Sequence, residues 1–482
     1  MRQLLLSVLL VFSTSIFYAQ PTQTKLPKPS QKGIENLDAN FSQYAGIAHQ
    51  IWEWAEVGYQ ETQSAGLLMK TLKDNGFSIE EGVAGMPTAF VASYGSGKPV
   101  IGILAEYDAL PGVSQEATPE QKTRIEGGAG HACGHHLFGT ASSGAAIEVK
   151  NWLDRTGKSG TIRLYGTPAE EGGAGKVYMV REGLFDDVDA VLHWHPSSSN
   201  GASPHSSLAN KSAKFRFKGI PAHAAGAPHK GRSALDGVEA MNNMVNLMRE
   251  HVPMETRIHY VITKGGDAPN VVPGFAEVYY YVRHPEAAEV EKIFARVVKA
   301  AEGAAIGTET TMEYEIIHGV YNLVPNEALA EVMYKNLSIV GGVQYDDKEK
   351  AFANKLRESF ETNTLVDDAA KVMPYKVEKT SGGGSTDVGD ISWVVPTTGL
   401  GAATWVPGTF AHSWQAVAAG GISIGHKGMM VAAKTIFLTA VDLFDDPQVI
   451  AKAKIELDGK RGKDFVYKPL LGDRKPPLDY RR

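Results

Sequence analysis

The sequence predicts an α/β fold that is interrupted by an inserted, ferredoxin-like α+β domain. On both sides of the insertion, apolar runs of strand length alternate with helical patterns, and Val100–Leu104 is apolar throughout, as in a buried parallel strand. Residues 209–322 instead follow the order β-α-β-β-α-β, which is typical of a ferredoxin-like unit. A length of 482 residues suits two or three domains of roughly 100–200 residues each.

Hydrophobic periodicity predicts the elements that precede the insertion. Between Ile34 and Leu72 the apolar side chains recur at helical spacing. Strands are predicted over Thr88–Tyr94, Val100–Leu104, Thr161–Gly166 and Asp189–His193, and a helix rich in small residues over Gly139–Leu153. Polar residues follow several of these strands, at the carboxyl ends where open α/β sheets bind ligands. We therefore expect a functional site at this edge of the sheet.

The insertion carries its own set of predicted elements. These are strands over Lys211–Lys218, Arg257–Thr263, Ala276–Arg283 and Thr310–Ile317, with helices over Ser233–Glu250 and Glu286–Ala304. The outer strand of such a sheet leaves an edge that needs cover. Pairing two edges across a two-fold axis covers both, so the sequence predicts a homodimer. After the insertion, the apolar run Ile422–Asp445 predicts a helix that covers the main sheet.

The N-terminus resembles a secretory signal peptide. Arg2 precedes the apolar run Leu4–Tyr18, which ends at Ala19-Gln20 and is shorter than the about 20 residues of a membrane span. An uncleaved membrane anchor is the alternative. The predicted boundaries are a signal peptide at 1–19, a first catalytic segment at 34–208, the insert at 209–322, a second catalytic segment at 323–450 and a tail at 451–482.

Export to the periplasm or medium is therefore expected, without membrane attachment once the signal is cleaved. A hydrophobic content of 43% and a charged content of 21% are typical of a globular protein. The net charge of −6 makes nucleic acid an improbable partner. We expect the basic, proline-bearing part of the tail, Lys460–Arg482, to lie extended on the surface without chemistry of its own.

The run Gly130–His136 contains the only cysteine of the chain, Cys133. One cysteine cannot form an internal disulfide, and a position between histidines and glycines is poor core sequence, so metal binding is favoured over simple burial. The carboxylates Glu170 and Glu171 and the later His195 and His412 add further ligand types. Cys, His and carboxylates hold zinc and similar ions, and catalytic sites leave a position for water.

A metal-activated hydrolase also needs a carboxylate beside the metal to take a proton from water. The pair Glu170–Glu171 can supply both a ligand and a base, although two solvated charges at a helix start are the alternative. Pro-Ala before the pair and Gly-Gly after it predict a tight loop, in which the two side chains point in different directions. Asp108, after the strand Val100–Leu104, is predicted to orient a ligand, with a helix cap as the alternative.

Two other enzyme classes are excluded by missing motifs. The Gly-rich run Ser381–Ser385 lacks the lysine and the strand context of a phosphate-binding loop. No Gly-x-Ser-x-Gly elbow stands between a strand and a helix, as a serine hydrolase requires.

Nine motifs from Gln43 to Leu443 together resemble the metal-dependent amidohydrolase family of aminoacylases, glutamate carboxypeptidases and succinyl-diaminopimelate desuccinylase. They are Glu56–Glu61, Glu106–Pro111, His131–His136, Glu170–Gly173, Val180–Gly183, Ala222–Ala225, Asn270–Pro273, Ser385–Gly389 and His412–Gln415. The resemblance implies a mixed-sheet metallopeptidase catalytic domain with an inserted ferredoxin-like dimerisation and lid domain. It is closest to the branch that acts on aminobenzoyl-glutamate.

The resemblance also implies the role of each site residue. The ligands of two divalent ions, Zn or Mn, would be Cys133, His135, Glu171, His195 and His412, with Cys133 bridging the ions. Glu170 would be the general base, His223 of the insert would stabilise the oxyanion, and Asn270 and Arg283 would hold a substrate carboxylate. His193 is the alternative ligand to His195, a surface position is the alternative for His223, and a structural ion pair is the alternative for Arg283.

The expected function is hydrolysis of the amide between an aminobenzoyl or acyl group and an amino acid. A dipeptidase or broad N-acyl-amino-acid hydrolase is the alternative on the same scaffold. From another class, the chain could be a noncatalytic metal- or peptide-binding module of the envelope. A homodimer is expected in which His223 acts in its own or in the partner's site, and a heteromeric partner is the alternative.

Overall fold

The computed structural model describes residues 26–377 and 383–481. The predicted signal peptide and residues 378–382 of the Gly/Ser-rich loop lie outside these ranges. The helices are α1 Lys28–Ala39, α2 Phe41–Trp54, α3 Thr62–Asp74, α4 His135–Thr156, α5 Gly175–Arg181, α6 Ala234–Met248, α7 Ala287–Thr308, α8 Glu327–Val340, α9 Asp347–Leu356, α10 Val388–Val394, α11 Trp414–Gly420, α12 Ser423–Asp445 and α13 Pro447–Arg461. The strands are β1 Ser78–Glu81, β2 Phe90–Ser96, β3 Val100–Ala105, β4 Gly160–Gly166, β5 Ala190–Ser197, β6 Ala209–Lys218, β7 Arg257–Lys264, β8 Phe275–His284, β9 Thr311–Val320 and β10 Thr397–Ala403.

The main sheet has six strands in the order β1-β2-β4-β3-β5-β10. Strands β4, β3, β5 and β10 run parallel, whereas β1 and β2 pair antiparallel, so the predicted mixed α/β sheet is confirmed. Every residue of β3 is buried, as its continuous apolar sequence requires. Helix α4 packs on β3 and β4 and on the apolar helix α12. A Cβ on Gly139 would lie 2.7 Å from the carbonyl oxygen of Glu106, so the small residues of α4 permit this close approach.

The insertion forms a four-stranded antiparallel sheet in the order β7-β8-β6-β9, with α6 and α7 packed on it. This is the ferredoxin-like arrangement that the sequence predicts, and it encloses its own apolar core. Strand β7 lies at the edge, and its Tyr260, Val261 and Ile262 are 38%, 56% and 40% exposed. An exposed apolar edge of this kind is a surface for strand pairing.

Among its described residues, the last segment of the chain has no helix or strand after α13 and is mostly exposed or half-buried, as expected, but it is not confined to the surface. The predicted boundary between the second catalytic segment and the tail, at 450/451, lies inside helix α13. Beyond it, Leu470 is 5% exposed and packs into the core of the insert, while Leu471 is 2% exposed and packs into the core of the catalytic domain. The burial of adjacent leucines in two different cores anchors the segment to both domains.

Three strand assignments differ from the sequence prediction, one of which is the short edge strand β1, which was not predicted. Strand β5 continues to Ser197, so His195 lies within the strand rather than after it. Strand β10 was not predicted, because its sequence Thr-Thr-Gly-Leu-Gly-Ala-Ala has little of the branched apolar character that marks a buried strand. In the part of the chain that the structure describes, no helix has the length and apolar character of a membrane span.

Candidate active site

A cavity of about 620 Å³ lies where the carboxyl ends of the main-sheet strands meet the insert. Its walls combine residues of the catalytic domain, such as Cys133 and Glu170, with Arg283 and His318 of the insert. This is the edge of the sheet at which the sequence predicts a site.

The loop before α4 places Cys133 in the cavity wall and leads directly to the buried His135, the first residue of α4. Gly134 between them has a φ of +76°, and a Cβ there would lie 2.7 Å from Pro196. Only glycine combines this backbone conformation with such a close approach to β5 at low cost. As a result, Cys133 Sγ lies 3.4 Å from Nε2 of His195 on that strand.

Glu170 and Glu171 lie on the tight loop that the sequence predicts, after β4. Ala169 and Ala174 flank the loop with φ values of +57° and +59°, an unusual conformation for alanine that the surroundings must stabilise. Tyr59 donates a hydrogen bond of 2.8 Å to the carbonyl of Gly173. The amide of Ala169 donates to Glu61, a fully buried carboxylate.

Asp108 connects two of the predicted ligands, as expected for a carboxylate that orients them. Its Oδ1 lies 2.8 Å from Nδ1 of His135, and its Oδ2 accepts a hydrogen bond of 2.9 Å from the amide of Glu171. Burial alone would raise the pKa of Asp108, but the neighbouring His135 outweighs burial and lowers it. The contact at Nδ1 leaves Nε2 of His135 available as the potential ligand atom beside Cys133 and His195.

The five predicted ligands form two groups that share one atom. The first group is Cys133, His135 and His195, and the second is Cys133, Glu171 and His412, with the donor atoms of each group within 4.8 Å of one another. His412 Nε2 lies 3.2 Å from Oε1 of Glu171.

His412 has a φ of +62°, and its amide donates to the carbonyl of Ala132. The strained residue is thereby tied to the Cys133 loop.

The donor set fits divalent metal ions. Thiol, imidazole and carboxylate groups lie close together. The sulfur of Cys133 belongs to both ligand groups, so it could bind two ions. Nε2 of His135 and Oε2 of Glu106 are buried and 3.1 Å apart, yet neither forms a hydrogen bond. Buried polar atoms without a partner are costly unless a ligand completes them. Burial also raises the pKa of the Cys133 thiol, a cost that a bound cation offsets.

A buried ionic chain behind the ligands was not predicted. Lys176 on α5 is fully buried, and its Nζ lies 2.7 Å from both Oε1 of Glu106 and Oδ1 of Asp387. Glu106, His135 and Glu170 form a third cluster of potential ligands. Glu106 and Asp387 belong to two of the nine motifs that carry the family resemblance. Their sequence context gives no sign that a lysine forms ion pairs with both of them.

Glu170 faces the cavity beside this ionic chain. Burial raises the pKa of Glu170 well above its ordinary value, and the negative charges of Glu106 and Glu171 raise it further. A carboxylate in this environment is a stronger proton acceptor than one in water.

His195, rather than His193, joins a ligand group. The two histidines share a face of β5, and His193 lies against Gly399, where a Cβ would be 2.4 Å from its ring. Burial lowers the pKa of His193 to about 3, so its imidazole is neutral. His136, next to His135, belongs to none of the potential ligand groups among the described residues, and its Nε2 lies 3.0 Å from the carbonyl oxygen of Gly420.

The predicted substrate residues are divided between two places. Arg283 lines the cavity, its guanidinium lies 5.4 Å from the centre of the Tyr281 ring, and its buried Nε has no hydrogen-bond partner. His223 and Asn270 are exposed and adjoin each other, because the amide of Ala224 donates to the carbonyl of Asn270. They are not among the residues that line the cavity.

Arg481 was also missed by sequence reasoning. It lines the cavity, and its Nη2 donates a hydrogen bond of 2.8 Å to the carbonyl of Glu171. Because the two residues are 310 positions apart, no local pattern could connect them.

Comparisons with known proteins identify the family. Residues 209–309 match the M20 peptidase dimerisation domain. Over 446 residues the chain is 43% identical to one of the subunits of p-aminobenzoyl-glutamate hydrolase from Escherichia coli (strain K12), an alignment that covers 87% of this chain and 93% of that protein. The chain belongs to the M20 family of peptidases and amidohydrolases. It is therefore an enzyme, a metal-dependent hydrolase, and the resemblance inferred from the motifs is confirmed.

More distant sequence relatives and solved structures also match the chain. The Xaa-Arg dipeptidase of Mus musculus is 27% identical over 89% of this chain and 92% of its own length. An aminobenzoyl-glutamate utilization protein from Klebsiella pneumoniae matches with a TM-score of 0.60 at 18% identity, over 86% of this chain and 98% of that one. A Bacillus subtilis protein described as a dinuclear metal binding peptidase matches with a TM-score of 0.58 at 17% identity, over 85% and 99%.

Replacing Asp108 with asparagine is expected to weaken metal binding about 10–100-fold, because His135 and the Glu171 loop lose the carboxylate that orients them. Competition with a chromogenic chelator measures the affinity, and circular dichroism checks the fold. Asp154→Asn, on the exposed end of α4, is the matched control. Unchanged affinity in a folded Asp108→Asn protein would contradict the assigned role.

Proposed function

We propose that this enzyme hydrolyses the amide bond between an aminobenzoyl or acyl group and an amino acid, with glutamate as the preferred amino acid. The observation that carries the proposal is the pair of ligand groups that share Cys133, beside Glu170 and in the same cavity as Arg283. The relative with 43% identity, which belongs to a p-aminobenzoyl-glutamate hydrolase, supports this substrate class.

The two ligand groups would hold two divalent ions, with Cys133 in contact with both. Bound ions lower the pKa of water to about 7 and polarise the substrate carbonyl. Cysteine and histidine ligands suit zinc, whereas the carboxylate also admits manganese. Elemental analysis of protein purified without added metal distinguishes the two.

The chain's own residues supply the proton transfer and the positioning. Glu170 would accept the proton of the attacking water and pass it to the leaving amine, since its environment raises its pKa. Arg283 would hold the substrate carboxylate through its guanidinium, whose donors match a carboxylate in pairs. Asp108 would keep His135 and the Glu171 loop in place during the reaction.

A dipeptidase is the second candidate. The similarity to Xaa-Arg dipeptidases favours it, and the same ligand groups and base serve peptide hydrolysis. A substrate panel of aminobenzoyl-glutamate, acyl amino acids and dipeptides separates the candidates by their kcat/KM values. Comparable values for all three classes would support a broad hydrolase.

Glu170→Gln is expected to lower kcat by about 10²–10⁴-fold, because the amide cannot accept the proton. Metal content should stay unchanged, since Glu170 belongs to neither group that contains Cys133. Release of glutamate from aminobenzoyl-glutamate measures kcat, and a chelator should abolish it in the wild type. Glu182→Gln, an exposed carboxylate nearby, is the control. Normal kcat in the Glu170 variant would refute the base assignment.

We also propose that the enzyme is a homodimer in which each insert supplies His223 to the partner's cavity. The exposed apolar edge of β7 supports strand pairing between two copies, and the dimerisation-domain match covers this part of the chain. The position of His223 and Asn270 outside the cavity of their own chain supports their action in trans. A heteromer with a related chain is the alternative, since the Escherichia coli relative is named as one component of a hydrolase with more than one kind of subunit.

Mixing His223→Ala chains with Glu170→Gln chains tests this arrangement. Each dimer of one chain of each kind would contain one cavity with both residues intact, so activity should return to a fraction of the wild-type value. Two pools that stay inactive after verified subunit exchange would exclude the trans arrangement.

Export remains part of the proposal, based on the apolar run Leu4–Tyr18. Cleavage after Ala19 would make Gln20 the first residue of the mature chain, which N-terminal sequencing detects. An intact Met1 on protein recovered from the cell would contradict this proposal.

A further inference from the structure

The C-terminal segment that follows α13 joins the two domains before it enters the cavity. Leu470 and Leu471 anchor it in the two cores. Arg474 then donates to the carbonyl of Ile317 on β9, while its own carbonyl accepts a hydrogen bond of 2.7 Å from Arg181 on α5. The segment is therefore held by both domains.

Tyr480 and Arg481 form the end of this segment at the cavity. The Tyr480 hydroxyl donates a hydrogen bond of 3.0 Å to the carbonyl of Glu171, and its ring meets Tyr59 edge-on at 5.7 Å. Gly58 provides the space, because a Cβ there would lie 2.3 Å from the Tyr480 oxygen. The Arg481 guanidinium lies 5.0 Å from the centre of the Tyr480 ring and donates to the same carbonyl of Glu171.

Among the described residues, the charge of Arg481 has no counterion. In residues 26–377 and 383–481, no carboxylate lies within ion-pair distance of its guanidinium, and its hydrogen bond to Glu171 uses Nη2. Nε and Nη1 therefore remain for a ligand in the cavity. Arg283 is the other arginine among the described lining residues, and no lysine is present there.

We propose that Arg481 is a specificity-determining residue that binds the side-chain carboxylate of an acidic amino-acid substrate. The inference rests on the proposed function and deepens it. Every N-acyl amino acid carries one α-carboxylate, for which Arg283 suffices, whereas glutamate or aspartate adds a second. The guanidinium has free N–H donors and stacks on an aromatic ring. It therefore binds a substrate side chain that ends in a carboxylate better than one that is uncharged.

A purely structural role for Arg481 predicts different kinetics. If Arg481 only supports the Glu171 loop, its loss impairs all substrates alike through kcat. If it binds the side-chain carboxylate, its loss raises KM for acidic substrates and spares neutral ones, because the interaction is absent from the latter.

The test compares aminobenzoyl-glutamate with aminobenzoyl-alanine as substrates of wild type, Arg481→Ala, Arg481→Lys and Lys475→Ala. In Arg481→Ala, the KM for the glutamate substrate should rise about tenfold or more. The KM for the alanine substrate should stay within about twofold of the wild-type value. Arg481→Lys should recover part of the affinity. Lys475→Ala removes an exposed cation from the same segment and should match the wild type.

A second readout separates this inference from the proposed function. Calorimetry on the Glu170→Gln background measures the binding of both compounds without turnover, and Arg481→Ala should weaken only the binding of the glutamate compound. If Arg481→Ala lowers the affinity for both compounds equally, or for neither, the proposed role of Arg481 is wrong. If the wild type hydrolyses neither compound but binding still discriminates between them through Arg481, the proposed reaction fails and the Arg481 assignment stands.

Discussion

The concentration of buried negative charge at the ends of the central strands is the constraint on which the site depends. The residues Glu106, Asp108 and Asp387 are at most 1% exposed, and the partly buried Glu170 and Glu171 lie beside them. Among the described residues, Lys176 is the one buried lysine or arginine. Burying carboxylates without partners costs several kcal/mol per charge, so further cations must complete the arrangement. Divalent ions on the shared Cys133 groups satisfy this requirement.

The two domains contribute different parts of the catalytic apparatus. The catalytic domain holds the metal side on short loops whose strained residues, such as Ala169 and His412, are fixed by hydrogen bonds from neighbouring elements. The insert contributes Arg283 to the substrate side, and the C-terminal segment adds Arg481.

The potential metal ligands can be found in the sequence because ligand chemistry is local. Cys133 and His135 stand in one short motif, and their surroundings of glycine and histidine are unlike core sequence. Lys176 could not be predicted, since a lysine in an apolar helix is ordinarily at the surface and its two partners come from distant segments. Arg481 depends on long-range packing of a segment that lacks periodicity. His223 is assigned to the insert by sequence, but an intermolecular position requires knowledge of the assembly.

The most direct test of the account is the anomalous diffraction of metal-loaded crystals, because it locates ions without reference to activity. Two peaks are expected, one on each side of Cys133 Sγ. If the ions are zinc, each should lie about 2.3 Å from the sulfur. One peak should lie beside His135 and His195 and the other beside Glu171 and His412. A single peak, or two peaks that do not share the Cys133 sulfur, would contradict the account.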